Sequence, residues 1–381
     1  MKNEKRLREI EAILSKYYDS CVINAKSEWR GLGKNNPPLE AVNPSSNGYK
    51  GIWPDDFEFI MLAGEPLSVE ACQKIAQFCT DSVIGLTRFP DSLNEDGMPL
   101  MGFSENSGAR MSASLPGAWI RMLNLFEERG VIIPKKKKWA DLFIRAISDT
   151  EFSCGLAYVS PFQPHITFPF HDIAAITGFD LMSSVAAQRS FITACKFFAD
   201  VVSEEVLNDW RERAENIQNN LYRLFDEEKG IFLAGSYDNR QPDIWGSGLA
   251  YALADDNQKK AIGNYFEANK KQIFREGLTC PTETTSGWSR FIVPHEPGNY
   301  MNGGYWSLGT AFVLTALYDQ KPELAMEVLE DLVVSMPKYD FAESVNMIKG
   351  TKTNPGFMAE VAMPLVAVRA ILDGKQLLDV I

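Results

Sequence analysis

Positive charge is scarce in this chain of 381 residues. Lys and Arg number 38 against 50 Asp and Glu, which gives a formal net charge of -12 at pH 7. A protein that binds the phosphate backbone of a nucleic acid needs a basic surface. The one basic cluster, residues 135–138, follows a proline where a solvated helix face is expected. The composition therefore argues against nucleic acid as a partner.

Cysteine pairs, histidine clusters and long apolar runs are also missing. The six cysteines are scattered without a C-x-x-C pair, and the three histidines have no ligand spacing, so we expect neither a disulfide framework nor a metal centre. No Walker loop, dinucleotide fingerprint or G-x-S-x-G elbow occurs, and we expect no cofactor.

No run of 18 apolar residues and no apolar signal core is present, so we expect a soluble protein without a membrane partner. The chain as it stands is expected to be cytoplasmic, or periplasmic or secreted if a leader has been removed. The sequence leaves the oligomeric state open.

What the sequence does have is a regular alternation of long and short connections between twelve predicted helices. The long connections cover residues 31–54, 89–116, 150–183, 226–245, 272–306 and 337–357. Connections in compact domains usually run to about 4–6 residues, and longer ones are often functional. Six long connections at one end of a fold therefore predict one large site at that end.

The predicted helices are of two kinds. Six carry charges on one face and apolar residues on the other: residues 5–18, 69–84, 136–148, 204–225, 258–273 and 323–334. Six others are nearly uncharged and rich in small residues: 57–62, 117–126, 184–198, 247–254, 308–318 and 361–372. A helix that is apolar or small all round is normally buried, so the second set predicts an inner ring and the first an outer layer.

Six hairpins of one outer and one inner helix make an all-α (α/α)6 barrel. No linker or break in composition divides the chain, and we expect a single catalytic domain over residues 1–381. An irregular α-solenoid is the alternative architecture.

Aromatic and acidic residues are concentrated in the long connections. Six of the eight tryptophans lie there, directly before, or in the first helical turn that follows: Trp29, Trp53, Trp119, Trp245, Trp288 and Trp306. Aromatic faces suit the apolar faces of a sugar ring, while carboxylates and amides bind its hydroxyl groups. These connections therefore predict a carbohydrate substrate, although Trp119 is better explained as a packing residue.

Hydrolysis of a glycosidic bond needs one protonated and one ionised carboxyl group. Asp172 lies in the aromatic segment 168–173, where apolar surroundings favour the protonated form that a general acid requires. A helix cap or a buried structural role is an equally open interpretation. Glu343, in the last long connection, is the predicted catalytic partner, and Asp340 is its nearest rival.

Other polar and aromatic residues of the long connections are predicted to bind the substrate. Several of them precede an inner helix together with glycines, which permit close approach of a ligand to the backbone. The predicted substrate-binding residues are Trp53, Asp56, His171, Asp243, Trp245, Glu283, Trp288, Asn302, Tyr305 and Trp306.

In several segments of its long connections, the chain resembles the six-hairpin glycosidase superfamily. This group includes glucoamylases, trehalases, processing α-glucosidases and unsaturated glucuronyl hydrolases. The segment Trp53-Pro54-Asp55-Asp56-Phe57 is similar to the Trp-Pro-Arg-Asp-type motif of that group. The resemblance implies that Asp56 binds the sugar in the cleaved subsite. Asp55 stands where relatives have arginine.

The resemblance extends to three later connections. His171-Asp172 lies where relatives place the general acid, and the segment 302–306 is similar to one that walls their pocket. In the last connection, Pro337 stands where relatives often have the glutamate base, and Glu343 is the substitute. The resemblance implies a glycoside hydrolase, exo-acting and inverting, with Asp172 as acid and Glu343 as base.

Three alternatives stay open. A sugar epimerase on the same fold would use His165 and His171 for proton transfer. An unsaturated-uronide hydrolase would need basic residues beside the acid to bind the substrate carboxylate, and the candidates are Lys50, Arg240 and Arg290. A sugar-binding protein without catalytic activity would explain the departures in the first and last long connections.

Overall fold

The computed structural model describes residues 2–29, 38–46, 48–101, 114–166, 169–282 and 287–381. Thirteen α-helices occur in these ranges. The inner set is α2 (Pro54–Ala63), α4 (Leu115–Glu128), α6 (Leu181–Phe197), α8 (Ile244–Ala250), α11 (Ser307–Gln320) and α13 (Ala359–Leu372). The outer set is α1 (Lys2–Ala25), α3 (Val69–Val83), α5 (Lys136–Asp149), α7 (Glu204–Asn220), α9 (Asp256–Ala268) with its short continuation α10 (Lys270–Ile273), and α12 (Pro322–Lys338).

The six inner helices form a closed ring. Contacts run from α2 to α4, α6, α8, α11 and α13 in turn, and α13 contacts α2 again. Each inner helix follows an outer helix along the chain, and outer helices such as α7 and α12 pack against the inner helices α6 and α11. The all-α (α/α)6 barrel predicted from the sequence is therefore confirmed.

Burial along the helices explains this sorting. In α11, every residue from Ser307 to Leu317 is buried, as expected for a helix surrounded by protein. In α7, the buried residues are only Leu207, Trp210, Ala214 and Ile217, which recur at three- and four-residue spacing along one face. The small residues of the inner ring let neighbouring helices approach closely.

Short antiparallel strands, which the sequence analysis did not predict, occur in or beside each long connection. Four pairs are two-stranded: β1 (Lys26–Trp29) with β2 (Leu39–Val42), β9 (Phe225–Asp226) with β10 (Ile231–Phe232), β11 (Phe274–Arg275) with β12 (Leu278–Thr279), and β13 (Ser344–Asn346) with β14 (Thr351–Thr353). Two sheets are three-stranded: β3 (Gly51–Ile52), β4 (Ser92–Asn94) and β5 (Pro99–Leu100), and β6 (Phe152–Ser153), β7 (Leu156–Val159) and β8 (Gly178–Phe179). These strands pair backbone groups that would otherwise be exposed in long loops.

Among the described helices, none combines the length and apolar character needed to cross a membrane.

Close helix packing at Gly248 gives a stability prediction. A Cβ atom at Gly248 in α8 would lie 2.7 Å from the Cα of Val313 in α11, and backbone atoms cannot rotate away as a side chain can. We expect Gly248→Ala to lower the free energy of unfolding by about 1–3 kcal/mol, as overpacked cores do. Denaturant unfolding measures this change. The control Glu215→Ala, at an exposed position of α7, should be nearly neutral, and an equally small effect of Gly248→Ala would contradict the close packing.

Candidate active site

Asp172 follows a short 3-10 turn, Pro169–His171, in the third long connection. Its Oδ2 accepts a hydrogen bond of 3.2 Å from the hydroxyl of Tyr300. Its Oδ1 is buried and has no hydrogen-bond partner among the described residues. Burial raises the pKa of Asp172 to about 7, and the hydrogen bond from Tyr300 partly opposes the increase. A carboxyl group in this setting holds a proton near neutral pH.

Glu343 lies immediately before β13, and the β13–β14 hairpin fixes its position. Its backbone N–H donates to the carbonyl oxygens of Thr353 at 3.0 Å and Asn354 at 3.3 Å. Its carboxylate accepts a hydrogen bond from the side-chain amide of Asn354. Burial raises the pKa of Glu343 to about 7, the amide of Asn354 opposes the increase, and the charge of Asp172 adds to it. The third and sixth connections therefore bring these two carboxyl groups into one electrostatic environment.

The rival candidate Asp340 lies in a different environment. Its side chain is 62% exposed and pairs with the ammonium group of Lys352. Solvent screens the charge of an exposed, paired carboxylate, so it interacts weakly with more distant groups.

Two more buried carboxyl groups come from the first turns of inner helices. Asp56 in α2 has one oxygen, Oδ1, without a hydrogen-bond partner in the described part of the chain. Glu360 in α13, which the sequence analysis did not identify, accepts a hydrogen bond of 2.8 Å from the backbone N–H of Leu308. Burial raises the pKa of both groups, and the charge of Glu343 raises both further. Asp56, Asp172, Glu343 and Glu360 are called the carboxyl cluster below.

Two tyrosines adjoin the carboxyl cluster. The hydroxyl of Tyr49 accepts a hydrogen bond of 3.2 Å from the same Asn354 amide that contacts Glu343. Burial, followed by the charges of Glu343 and Asp56, raises the pKa of Tyr49 to about 12. The pKa of Tyr300 is also raised, first by burial and then by the charges of Asp172 and Glu343. Neither tyrosine was identified from the sequence, because a tyrosine in a long loop carries no local signal for such a contact.

Asp55 is part of a buried ion-pair network. The guanidinium of Arg121 in α4 donates to Asp55 at 2.9 Å, to both carboxylate oxygens of Glu58 at 2.9 Å, and to the hydroxyl of Ser190 at 3.1 Å. Asp55 does not cap α2, because the N-cap is Trp53 and no side-chain cap hydrogen bond forms there. Arg121 was detectable in principle, since it is the one charged residue of the predicted inner helix 117–126.

Several predicted substrate-binding residues are buried within the fifth connection, residues 272–306, or in contact with it. The rings of Trp245 and Trp306 contact each other at 5.6 Å, and the Tyr305 hydroxyl donates to the carbonyl of Gln272 at 2.8 Å. The Asn302 amide accepts from the backbone N–H of Trp288 at 3.1 Å and donates to a backbone carbonyl. These side chains therefore contribute to the packing of the fifth connection.

Three of the remaining predicted substrate-binding residues, Asp243, His171 and Trp53, lie in different surroundings. Asp243 is fully buried and caps α8, where its Oδ1 accepts from the backbone N–H of Gly246 at 2.8 Å. His171 is 1% exposed and its ring contacts that of Trp288 at 5.2 Å, and burial lowers the pKa of this histidine to about 3. Trp53 contacts the ring of Tyr49 at 4.9 Å and so adjoins the carboxyl cluster. Glu283 lies outside the described residues.

Where the side chains are described, no group of three or more His, Cys, Asp or Glu residues is arranged to hold a metal ion.

Comparisons with known proteins give structural matches alone. No protein-family model and no curated protein sequence matches the chain. The structure is similar to that of an uncharacterized conserved protein from Thermus thermophilus, with a TM-score of 0.61 and 14% identity over 93% of this chain and 99% of that chain. It is also similar to a GH63 mannosylglycerate hydrolase from the same organism, solved with Tris and D-glycerate, with a TM-score of 0.60 and 13% identity over 93% of this chain and 99% of that chain.

A wild-type glycosidase is a further match, with a TM-score of 0.56 and 14% identity over 96% of this chain and 98% of that chain. At this level of identity, the similarities establish the shared fold.

The raised carboxyl pKa values predict how stability depends on pH. Folding raises the pKa of Asp172 and Glu343 to about 7 and that of Asp243 to about 8, so each group binds its proton more tightly in the folded state. Their stabilising contribution is complete below the unfolded pKa values of about 4 and is lost as pH rises through the folded values. We therefore expect the melting temperature to fall between about pH 5 and pH 8.

The variant Asp243→Asn provides the matched comparison, since asparagine is neutral at all these pH values and also caps helices well. Its melting temperature should change less steeply at the upper end of the range. A melting temperature that rises from pH 5 to pH 8 in the parent protein would contradict the assigned pKa directions.

Proposed function

We propose that this protein is a glycoside hydrolase acting on a sugar or oligosaccharide, with Asp172 as general acid and Glu343 as general base. The observation that carries the proposal is this pair of carboxyl groups. They come from different connections and each has a pKa of about 7, and the charge of Asp172 contributes to raising the pKa of Glu343. Acid-base catalysis at neutral pH requires groups of this kind.

The hydrogen bonds of the two carboxyl groups support this division of roles. Coupled groups with similar pKa values titrate as a pair, so at neutral pH the singly protonated state is well populated. The side-chain amide of Asn354 donates directly to Glu343 and favours its ionised form, which suits a base. Asp172 retains a buried Oδ1 without a partner in the described ranges, and this oxygen can carry the proton that a general acid donates.

An inverting mechanism is part of the proposal. Asp172 and Glu343 belong to the connections of the third and sixth hairpins, which lie on opposite sides of a closed ring of six. Opposed carboxyl groups leave room for a water molecule on the face of the sugar away from the acid, as inverting hydrolases require. Exo action is proposed from the resemblance to glucoamylases and trehalases.

Asp56, Trp53 and Tyr49 are proposed to form the sugar subsite next to the cleaved bond. The unpartnered Oδ1 of Asp56 is a buried acceptor, and buried acceptors normally have a hydrogen-bond donor, which a sugar hydroxyl would supply. Trp53 and Tyr49 present adjoining aromatic rings beside it.

The same contacts argue against the alternatives on this fold. His171 has a pKa of about 3 and is a poor proton carrier near neutral pH, which disfavours an epimerase. Arg290 is paired with Asp238, and Lys50 is exposed, which disfavours recognition of a substrate carboxylate by these residues. The name of the mannosylglycerate hydrolase makes mannosylglycerate a sensible member of any substrate screen.

Variants of the two carboxyl groups test the proposal once a screen of aryl glycosides and natural glycosides has found a substrate. We expect Asp172→Asn and Glu343→Gln each to lower kcat on a natural glycoside by about 10²–10⁴-fold, the usual contribution of acid-base catalysis. On an aryl glycoside with a strongly acidic leaving group, Asp172→Asn should lose much less activity, because such a leaving group needs little protonation. Glu343→Gln should lose as much activity on both substrates.

Asp340→Asn is the matched control, because it removes a nearby carboxylate that is exposed and paired. It should retain activity within about 2-fold of the parent. Full activity in Asp172→Asn and Glu343→Gln, or a loss confined to Asp340→Asn, would overturn the assignment.

A further inference from the structure

The backbone of the fifth connection holds Tyr300 in a fixed conformation. Tyr300 has φ +47°, in the left-handed region that residues other than glycine seldom adopt. Its carbonyl oxygen accepts from the backbone N–H of Gly304 at 2.8 Å and from the indole N–H of Trp306 at 3.4 Å. Its ring contacts that of Trp306 at 5.1 Å. A strained residue persists only where its surroundings determine its conformation, and such residues cluster at functional sites.

The neighbouring residues of this connection reinforce that conformation. A Cβ atom at Gly304 would lie 3.0 Å from the backbone nitrogen of Tyr300, so no larger residue fits there without a shift. Asn302 ties the connection to the backbone of His295 and Trp288 through its amide. The buried residues Asn302 and Trp306, predicted from the sequence to bind sugar, thus form the support of Tyr300.

The hydroxyl of Tyr300 contacts the carboxyl cluster. It donates to Oδ2 of Asp172 at 3.2 Å. Burial and the charges of Asp172 and Glu343 raise the pKa of Tyr300, so the phenol keeps its proton and remains a donor throughout the neutral range.

We propose that Tyr300 is a positioning residue for Asp172: its hydroxyl binds Oδ2, fixes the orientation of the carboxyl group, and directs the acidic proton to Oδ1. This inference rests on the proposed function of Asp172 as general acid. A phenol can donate to a carboxyl oxygen that carries no proton, and a neutral carboxyl group has one such oxygen. With Oδ2 bound by Tyr300, the proton of neutral Asp172 resides on Oδ1.

The same hydrogen bond gains strength during the reaction. The proton moves from Oδ1 to the glycosidic oxygen, which also takes the electron pair of the breaking C–O bond. Negative charge then develops on the Asp172 carboxylate, and hydrogen bonds to charged groups are stronger than bonds to neutral ones. Tyr300 therefore stabilises the transition state more than the bound substrate, which affects kcat rather than KM.

The variant Tyr300→Phe removes the hydroxyl and keeps the ring. We expect the pKa of the Asp172 carboxyl group to rise, because the ionised form loses a hydrogen bond. Carboxyl ¹³C NMR titration measures this pKa, with the Asp172 signal assigned by its absence in Asp172→Asn. With a substrate in hand, kcat should fall by about 10- to 100-fold at similar KM, and the basic limb of the pH–rate profile should move to higher pH.

Tyr18→Phe is the matched control. Tyr18 is a buried tyrosine of α1, and its hydroxyl donates to the carbonyl of Ile60 instead of to the cluster. Its loss should leave the Asp172 pKa unchanged and kcat within about 2-fold of the parent.

A second variant keeps the test decisive if Tyr300→Phe does not fold. Fluorotyrosine incorporated at position 300 retains the ring and the hydroxyl but makes the phenol a stronger donor, so the pKa of Asp172 should fall. An unchanged Asp172 pKa in a folded Tyr300 variant would overturn the inference. The titration needs no substrate, so this outcome is distinct from failure of the proposed function, which is lack of glycosidase activity in the parent protein.

Discussion

Among the described residues, carboxyl groups are buried without an equal number of buried cations, and the rest of this site depends on that constraint. Asp56, Asp172, Glu343 and Glu360 are linked electrostatically through Glu343, while the guanidinium of Arg121 is shared by two other acids, Asp55 and Glu58. Ionising a buried group is costly, and the group responds by holding its proton to higher pH. A catalytic acid and base that work near neutrality need pKa values raised in this way. The cluster therefore lowers stability at neutral pH while it provides the protonation states that the proposed catalysis requires.

The closed ring of inner helices makes this burial possible. Its helices begin at the end of the barrel where the long connections lie, so their first turns direct backbone N–H groups toward the site, and acids near helix N-termini are stabilised by such groups. Glu360 accepts a hydrogen bond from the start of α11, and Asp243 caps α8. The long connections complete the arrangement, because the β13–β14 hairpin presents Glu343 together with its donor Asn354. Helix packing and site chemistry are thus linked through the same few residues.

The sequence predicted the features that depend on local pattern. Helical periodicity and the contrast between charged and small-residue helices identified the six hairpins, and the aromatic setting of Asp172 indicated its raised pKa. The sequence could not reveal contacts between distant segments, such as Tyr300 with Asp172, 128 residues apart, or Arg121 with Asp55, 66 residues apart. Composition also could not predict that the rings of Trp245 and Trp306 are buried against each other. Side-chain direction depends on tertiary packing, which no local pattern encodes.

The proposed roles of Asp172 as acid and Glu343 as base are tested most directly by the stereochemistry of the reaction. Proton NMR, recorded within the first minutes of hydrolysis of a glycoside that the enzyme cleaves, identifies the anomer released before mutarotation mixes the two forms. Attack by a water molecule activated by Glu343 on the face away from Asp172 predicts a first product whose anomeric configuration is opposite to that of the cleaved bond. A first product that retains the configuration of the substrate would contradict the assignment of Glu343 as a base acting through water.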